Sequence, residues 1–436
     1  LPITPTPFVA YPNNLRDFYQ TGATFINNLA FTAGNEKSNM RLSLTDLNST
    51  SYIPGVDLKR KTVSAALNFN PTSKLQITSN INYVYSSSKN RPAAKYGSEN
   101  INYALVAWFG RSNSIEPLKD YWQPGLENVQ QFSYNYTFFD NPYFTLLENR
   151  NGFGRDRLFG NILARYAFTP ALSLAVRSGM DYSNEDRRFR RAFSTNRFKT
   201  GAYAEQNVFF REINTDFLLN YTKNISDITL DISLGANRMQ QNGSFEQIQT
   251  NSLAQAGVYA LTNAATPLDY FTNVGRKRIN SVYGVAKLGY KDFLYVDVTG
   301  RNDWSSALAT TISAANTSFF YPSFSSSLVL SNLLSLPKQI SFFKVRGSYA
   351  KVGNDTQPFQ TDGAFVARTN VNGQPTFSEQ SNIPNANLKP ESITAIELGA
   401  DIRFFDDRLS LDVTYFNTLN ENQIISLPIS ITSGYT

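Results

Sequence analysis

Asp401 and Asp412 sit on neighbouring alternating segments of this 436-residue chain, and a carboxylate pair is the one common hydrolytic device its composition leaves open. The chain has no His and no Cys. That excludes a Ser-His-Asp triad, an HExxH zinc site, a thiolate nucleophile, a zinc knuckle and an iron–sulfur cluster. The bland account of the two aspartates is a hydrated strand face, and it outweighs the catalytic one. No P-loop, dinucleotide fingerprint or EF-hand pattern occurs, and Gly152-Phe153-Gly154 lacks the strand–helix setting that a phosphate cradle needs. The expectation is therefore no enzyme, no cofactor and no metal.

The second chemical resource is aromatic. The chain holds 33 Phe, 24 Tyr and 3 Trp, yet only 17% of its residues are charged, so disorder is excluded. The segment 89–155 concentrates these rings, with Trp108, Phe109, Tyr121, Trp122, Tyr134, Tyr136, Phe138, Phe139, Tyr143 and Phe144. Such faces stack on sugars, pack on partner proteins, or form a small core of their own. Trp108, Tyr121 and Trp122 are the candidate ligand or partner contacts there. Trp304, at a strand end beside Asp303, is a fourth candidate, or else a membrane-girdle residue. The basic run Arg187-Arg188-Phe189-Arg190-Arg191 fits anionic lipid headgroups better than a phosphate site. With 40 Lys and Arg against 34 Asp and Glu, and no long basic block, nucleic acid is not an expected partner.

The elements that carry these residues have a period of two. Ile228, Leu230, Ile232 and Leu234 alternate with Thr229, Asp231, Ser233 and Gly235. Ile396, Leu398, Ala400, Ile402 and Phe404 alternate with Glu397, Gly399, Asp401 and Arg403. About fourteen such segments are expected, near 21–33, 38–48, 59–70, 75–88, 156–168, 172–187, 205–223, 227–241, 277–290, 293–303, 319–331, 341–353, 392–405 and 408–420. Most reach the ~9–11 residues that a tilted strand needs to cross a bilayer. Short connections alternate with long ones at 89–155, 188–204, 242–276, 304–318 and 354–391, the pattern of periplasmic turns and extracellular loops. No apolar run is long enough for a membrane helix, and the first seven residues do not read as a signal peptide. The expected fold is all-β: a transmembrane antiparallel up-and-down barrel, closed because lipid tolerates no sheet edge. Asp216, Asp231, Asp297, Glu397, Asp401, Arg403 and Asp412 occupy the non-apolar face and are expected to line a wet lumen.

Several stretches resemble one family. Lys344-Val345-Arg346-Gly347-Ser348-Tyr349-Ala350-Lys351-Val352-Gly353-Asn354 is similar to a strand of SusC/RagA-type TonB-dependent transporters of the Bacteroidetes outer membrane. Gly300-Arg301-Asn302-Asp303-Trp304-Ser305-Ser306, Tyr321-Pro322-Ser323 and Asn387-Leu388-Lys389-Pro390-Glu391 resemble further stretches, as do Glu397-Leu398-Gly399 and Arg408-Leu409-Ser410-Leu411. Tyr19-Gln20-Thr21-Gly22 and Ala33-Gly34-Asn35-Glu36 look like early barrel strands. On this resemblance residues 1–436 are part of one barrel domain, about 14 strands of the roughly 22 in a plugged transporter. The plug, its TonB box and the terminal strands are expected to lie outside the sequence.

The resemblance implies TonB-dependent import of oligosaccharides or peptides across the outer membrane, with a SusD-like surface lipoprotein as a lid. It implies contact with the TonB complex through a plug, with outer-membrane lipid, and a possible dimer of transporter–lipoprotein pairs. The alternatives are a passive fourteen-strand porin and, less favoured, an outer-membrane carboxylate hydrolase.

Overall fold

A computed structural model describes residues 8–433 apart from 312, 315, 364 and 381. The segment 1–7, read above against a signal peptide, lies outside the described residues. Fourteen strands form one antiparallel sheet: β1 Ala23–Gly34, β2 Ser38–Thr50, β3 Asp57–Thr72, β4 Leu75–Ser88, β5 Asn151–Ala167, β6 Leu172–Thr195, β7 Phe198–Ile225, β8 Ile228–Thr250, β9 Asp269–Tyr290, β10 Leu294–Ser305, β11 Ser318–Val329, β12 Ile340–Asn354, β15 Glu391–Phe404 and β16 Leu409–Glu421. A separate hairpin, β13 Phe365–Val371 and β14 Gln374–Glu379, lies in the connection between β12 and β15. Spatial order follows chain order throughout the large sheet, so it is an up-and-down meander. β1 pairs on one side with β2, and β16 on one side with β15.

The two faces follow from the sequence. A strand turns successive side chains to opposite faces. The register then sets Phe217 of β7 opposite Ala236 of β8, which faces Val282 of β9. On the other face Asp216 stands against Asn237, and Asn237 against Ser281. One face is apolar across all fourteen strands, and its large side chains are exposed: Leu29, Leu44, Ile162, Leu234, Val298, Phe324 and Leu398 among them. Those residues need lipid, because a soluble protein would bury such a surface.

The turns at one end are short. Lys291 and Asp292 turn the chain from β9 to β10 with φ of 48° and 55°, and Asp406 and Asp407 do so before β16 at 56° and 64°. Aspartate is among the few side chains that tolerate this left-handed region. At the other end β6 to β9 run far past a bilayer. They have 24, 28, 23 and 22 residues, roughly 11 to 17 more than a crossing requires.

This corrects two expected loops. The segment 188–204 is mostly strand, closed by a tight turn at Asn196 and Arg197, and 242–276 keeps a loop only at 251–268. Alternation fades there because the sheet has left the lipid. Neither face must be apolar in water, so charge appears on both while the ladder continues.

The connection 89–150 folds on itself, and β5 begins at Asn151 rather than at 156. It contains helices α2 Ile101–Trp108 and α3 Pro142–Leu147. Together with helix α1 Asn14–Phe18 it encloses a cluster of Phe18, Ile53, Ile101, Leu105, Phe109, Ile115, Leu118 and Leu146. This small core sits on the long-loop side, outside the membrane-spanning sheet.

Candidate functional site

The polar face and the folded loop are the two surfaces able to meet a solute or partner. The polar face is an ionic wall. Arg177 of β6 grips Asp216 of β7 with two bonds of 2.8 Å, and Arg157 of β5 grips Asp181 of β6 at 2.9 and 2.6 Å. Both are fork-to-fork pairs, which fix geometry as well as charge. Asp231 accepts from Asn220 at 3.1 Å and from the Thr222 hydroxyl at 2.8 Å. Asp297 and Glu397 line a hollow of about 230 Å³ with Tyr295, Lys344, Arg346 and Ser348. Arg403 lies 3.6 Å from Asp401.

All seven lumen candidates from the sequence therefore share one face. They are spread over β7, β8, β10, β15 and β16 rather than gathered at one point. Asp401 and Asp412 are register partners, but each is already held by an arginine, Arg403 and Arg346 respectively. A glycosidase acid needs an apolar pocket that keeps its proton on. These two carboxylates have cationic neighbours instead.

The loop 89–150 is organised around Asn141. Its side-chain oxygen accepts from the backbone N–H of Tyr143 and Phe144 at 2.8 and 3.4 Å, capping α3, where Pro142 takes the first position. Its amide nitrogen donates to the carbonyls of Leu118 and Phe132 at 2.8 Å each, and its own N–H donates to Gln131. The residue is fully buried with every polar group used. Asn-Pro ahead of an apolar stretch is a helix-start signal, and could have been read from the sequence.

Nearby, Asp140 accepts from Gln131 at 2.6 Å and from the N–H of Asn196 at 2.8 Å, tying the loop to the β6–β7 turn. Burial pushes its carboxyl above the usual aspartate range, against the pull of those bonds. Arg191 clasps Glu99 at 2.8 and 3.1 Å and fastens α2's approach to β6.

The four aromatic candidates separate. Tyr121 and Trp122 turn into the loop. The Tyr121 hydroxyl donates to Glu148 at 3.0 Å, and burial followed by that carboxylate pushes it up to about 12. Trp122 packs edge-on to Phe144, 5.2 Å between ring centres. Trp108 lies 5.6 Å from Phe139 but is 55% exposed, so most of its surface faces out. Tyr96, Val106, Tyr136 and Phe138 are exposed on the same loop. Trp304 is not among these rings. It stands on the apolar face at the upper end of β10, where girdle residues belong.

The connection between β12 and β15, expected as a loop at 354–391, is latched to the wall. Lys277 of β9 donates to Asp355 at 2.5 Å and to the Thr356 carbonyl at 3.1 Å, and the Ser305 hydroxyl donates to the other Asp355 oxygen. The Thr361 hydroxyl donates to the Ala309 carbonyl and the Thr311 N–H to Asp362.

Long strands with an apolar face on one side, ions on the other and elaborate loops at one end define the wall of a large outer-membrane β-barrel. The chain belongs to the family described as "TonB dependent receptor-like, beta-barrel", whose profile matches residues 107–436. Its curated relative "TonB-dependent receptor P3" of Formosa agariphila is 23% identical, the match covering 96% of this chain and 42% of the relative. The chain thus spans less than half the length of that relative.

Among solved structures, the RagAB peptide transporter superposes with a TM-score of 0.81 at 15% identity, covering 98% of this chain and 47% of that one. RagAB in its 'closed-closed' state gives 0.79 at 16%, over 99% and 48%. The ferripyoverdine receptor of Pseudomonas aeruginosa gives 0.58 at 13%, over 93% and 48%. The resemblance to SusC/RagA-type barrels drawn from short motifs holds at the level of the fold.

Proposed function

We propose that this chain is the wall and part of the extracellular face of an active nutrient importer, with no covalent chemistry of its own. The observation that carries the reading is the ionic inner face. Paired charges such as Arg177–Asp216 and Arg346–Asp412 recur through the membrane-spanning height, which suits a polar plug filling the lumen. Family membership supports energy from a TonB complex acting through that plug. Depleting TonB in cells that depend on this transporter for labelled peptides or oligosaccharides should abolish their uptake. Uptake at an unchanged rate would refute active import.

The exposed Trp108, Val106 and Phe138 favour a lipoprotein lid over the loop, with a peptide or glycan bound between them; peptide is the cargo of the structurally similar RagAB transporter. Trp108→Ala with Phe138→Ala should lower recovery of the co-purified lid at unchanged barrel yield. Full recovery would remove these rings from the interface. Transporter–lipoprotein pairs could in turn form a dimer. A fourteen-strand porin would need β1 to pair with β16, whereas each pairs on one side alone among the described residues. A hydrolase finds no support in the arginine-held Asp401 and Asp412.

A further inference from the structure

On the outward face, five successive cross-strand rows climb from the membrane toward the loops. The row Leu219–Leu234–Gly284–Gly300 is apolar, and Phe217–Ala236–Val282–Asn302 is mostly so. Above them come Thr215–Arg238–Asn280–Trp304, then Ile213–Gln240–Arg278, then Arg211–Asn242–Arg276. Composition switches within one step, from hydrocarbon to arginine.

The height of the switch is fixed by counting. Arg238 lies ten residues from Ile228, Trp304 ten from Leu294, Asn280 ten from Tyr290 and Thr215 ten from Ile225. All four strands have then climbed from the short-turn side by one bilayer crossing of about 9–11 residues. Trp304 and Arg238 thus stand at the outer boundary of the hydrocarbon.

Among the described residues none of Arg211, Arg238, Arg276 or Arg278 lies within ion-pair distance of an acid, although this protein pairs most of its inner arginines. Among the described residues the one side-chain partner found for them is neutral. With its amide turned so that the oxygen faces Arg238, Gln240 accepts from the guanidinium at 2.7 and 3.0 Å. No Asp or Glu occurs on the outward face of β7 to β10 within these rows. A hollow of about 580 Å³ opens at this place, lined below by Phe217, Ala236 and Val282, at the boundary row by Arg238 and Trp304, and above by Gln240.

The geometry points to a binding site for a phosphorylated lipid of the outer leaflet, with one acyl chain against Phe217, Val282 and Trp304 and its phosphate on Arg238 and Arg278. A face turned to lipid receives its occupant from the membrane. Four cations without acids select an anionic headgroup, and guanidinium forks match phosphate oxygens. A zwitterionic lipid would fill the hollow but leave the positive charge unanswered.

The test uses the intact transporter in mild detergent, with diphosphorylated lipid A and phosphatidylethanolamine as probes, followed by native mass spectrometry. Wild type should retain lipid A in preference to phosphatidylethanolamine. Arg238→Gln with Arg278→Gln should lower lipid A affinity about thirtyfold, the equivalent of about 2 kcal/mol for two interfacial cations. Arg238→Lys with Arg278→Lys should stay within about threefold of wild type, since charge is kept. Arg165→Gln, on the opposite face, serves as the control and should change nothing. Equal retention by the double Gln variant and wild type would overturn the proposal. So would equal retention of the two lipids by wild type, which would leave an apolar hollow without headgroup recognition.

Discussion

Arg346 of β12 reaches across the whole of β15 to Asp412 of β16, its guanidinium 2.8 Å from the carboxylate, and it can do so because Gly399 lies beneath it. A Cβ at position 399 would fall 2.6 Å from Nε of Arg346. The glycine of the Glu397-Leu398-Gly399 stretch is thus a saddle for an arginine.

Two glycine substitutions should consequently differ. In Gly399→Ala the clash is with the far end of a flexible side chain, so the arginine moves aside and the barrel should assemble at wild-type yield. In Gly160→Ala the new Cβ would meet the Asn80 carbonyl at 2.0 Å and Cα of Ile81 at 2.8 Å, both backbone of the paired strand. That variant should lose most folded barrel. Heat-modifiable mobility on SDS gels reads both outcomes, and equal yields would contradict the β4–β5 packing.

The latch between Lys277 and Asp355 is almost enclosed, with side chains 12% and 7% exposed. Removing one partner strands a charge, which costs about 3–5 kcal/mol when the pair is buried. Asp355→Ala should release the connection at 355–362 while the strands stay intact. Hydrogen exchange should rise there by at least tenfold, and protection equal to wild type would show that the latch does not hold the loop.

Asn141 satisfies four backbone groups with one side chain. Asn141→Ala removes a helix cap of about 1 kcal/mol and leaves buried carbonyls unpaired at about 1–3 kcal/mol each. The loop 89–150 should become sensitive to protease at barrel yields equal to wild type. Resistance matching the parent protein would contradict the central place given to this residue.

Asp140 sets a pH dependence for the same loop. Its folded carboxyl is raised by burial, so between the ordinary aspartate range and the raised value the folded loop binds more protons than the unfolded one. Stability then falls as pH rises through that window and levels off above it. Protease resistance of the loop should be higher at about pH 4 than at pH 7, and Asp140→Asn should flatten the difference. A slope of the opposite sign would mean that the bonds from Gln131 and Asn196 outweigh burial.

How much of this was legible depends on where lipid acts. All fourteen wall strands could be read from alternation, because in the bilayer the two faces of a strand meet opposite solvents. Phe217 and Asp216 could not exchange places. Where the sheet rises into water the constraint ends, and the extensions of β6 and β7 past Arg187 looked like a loop. The polar face was legible for the same reason as the strands. Its pairings were not, since Arg346 finding Asp412 two strands away depends on register and on Gly399. The aromatic wealth of 89–150 was visible, but its division into inward Trp122 and outward Trp108 was not. That division rests on Asn141 and α3, contacts between distant parts of one loop. The outward arginines were missed because they are scattered in sequence and converge only through pairing.

On the reading proposed above, the ionic face surrounds a plug and passage is gated. Ion conductance of the intact transporter in planar bilayers distinguishes a plugged barrel from an open one. A plugged importer leaves the membrane nearly closed when intact and passes large steady currents once the plug is deleted. Steady, ungated conductance from the intact protein would mean an open pore, and would contradict active import.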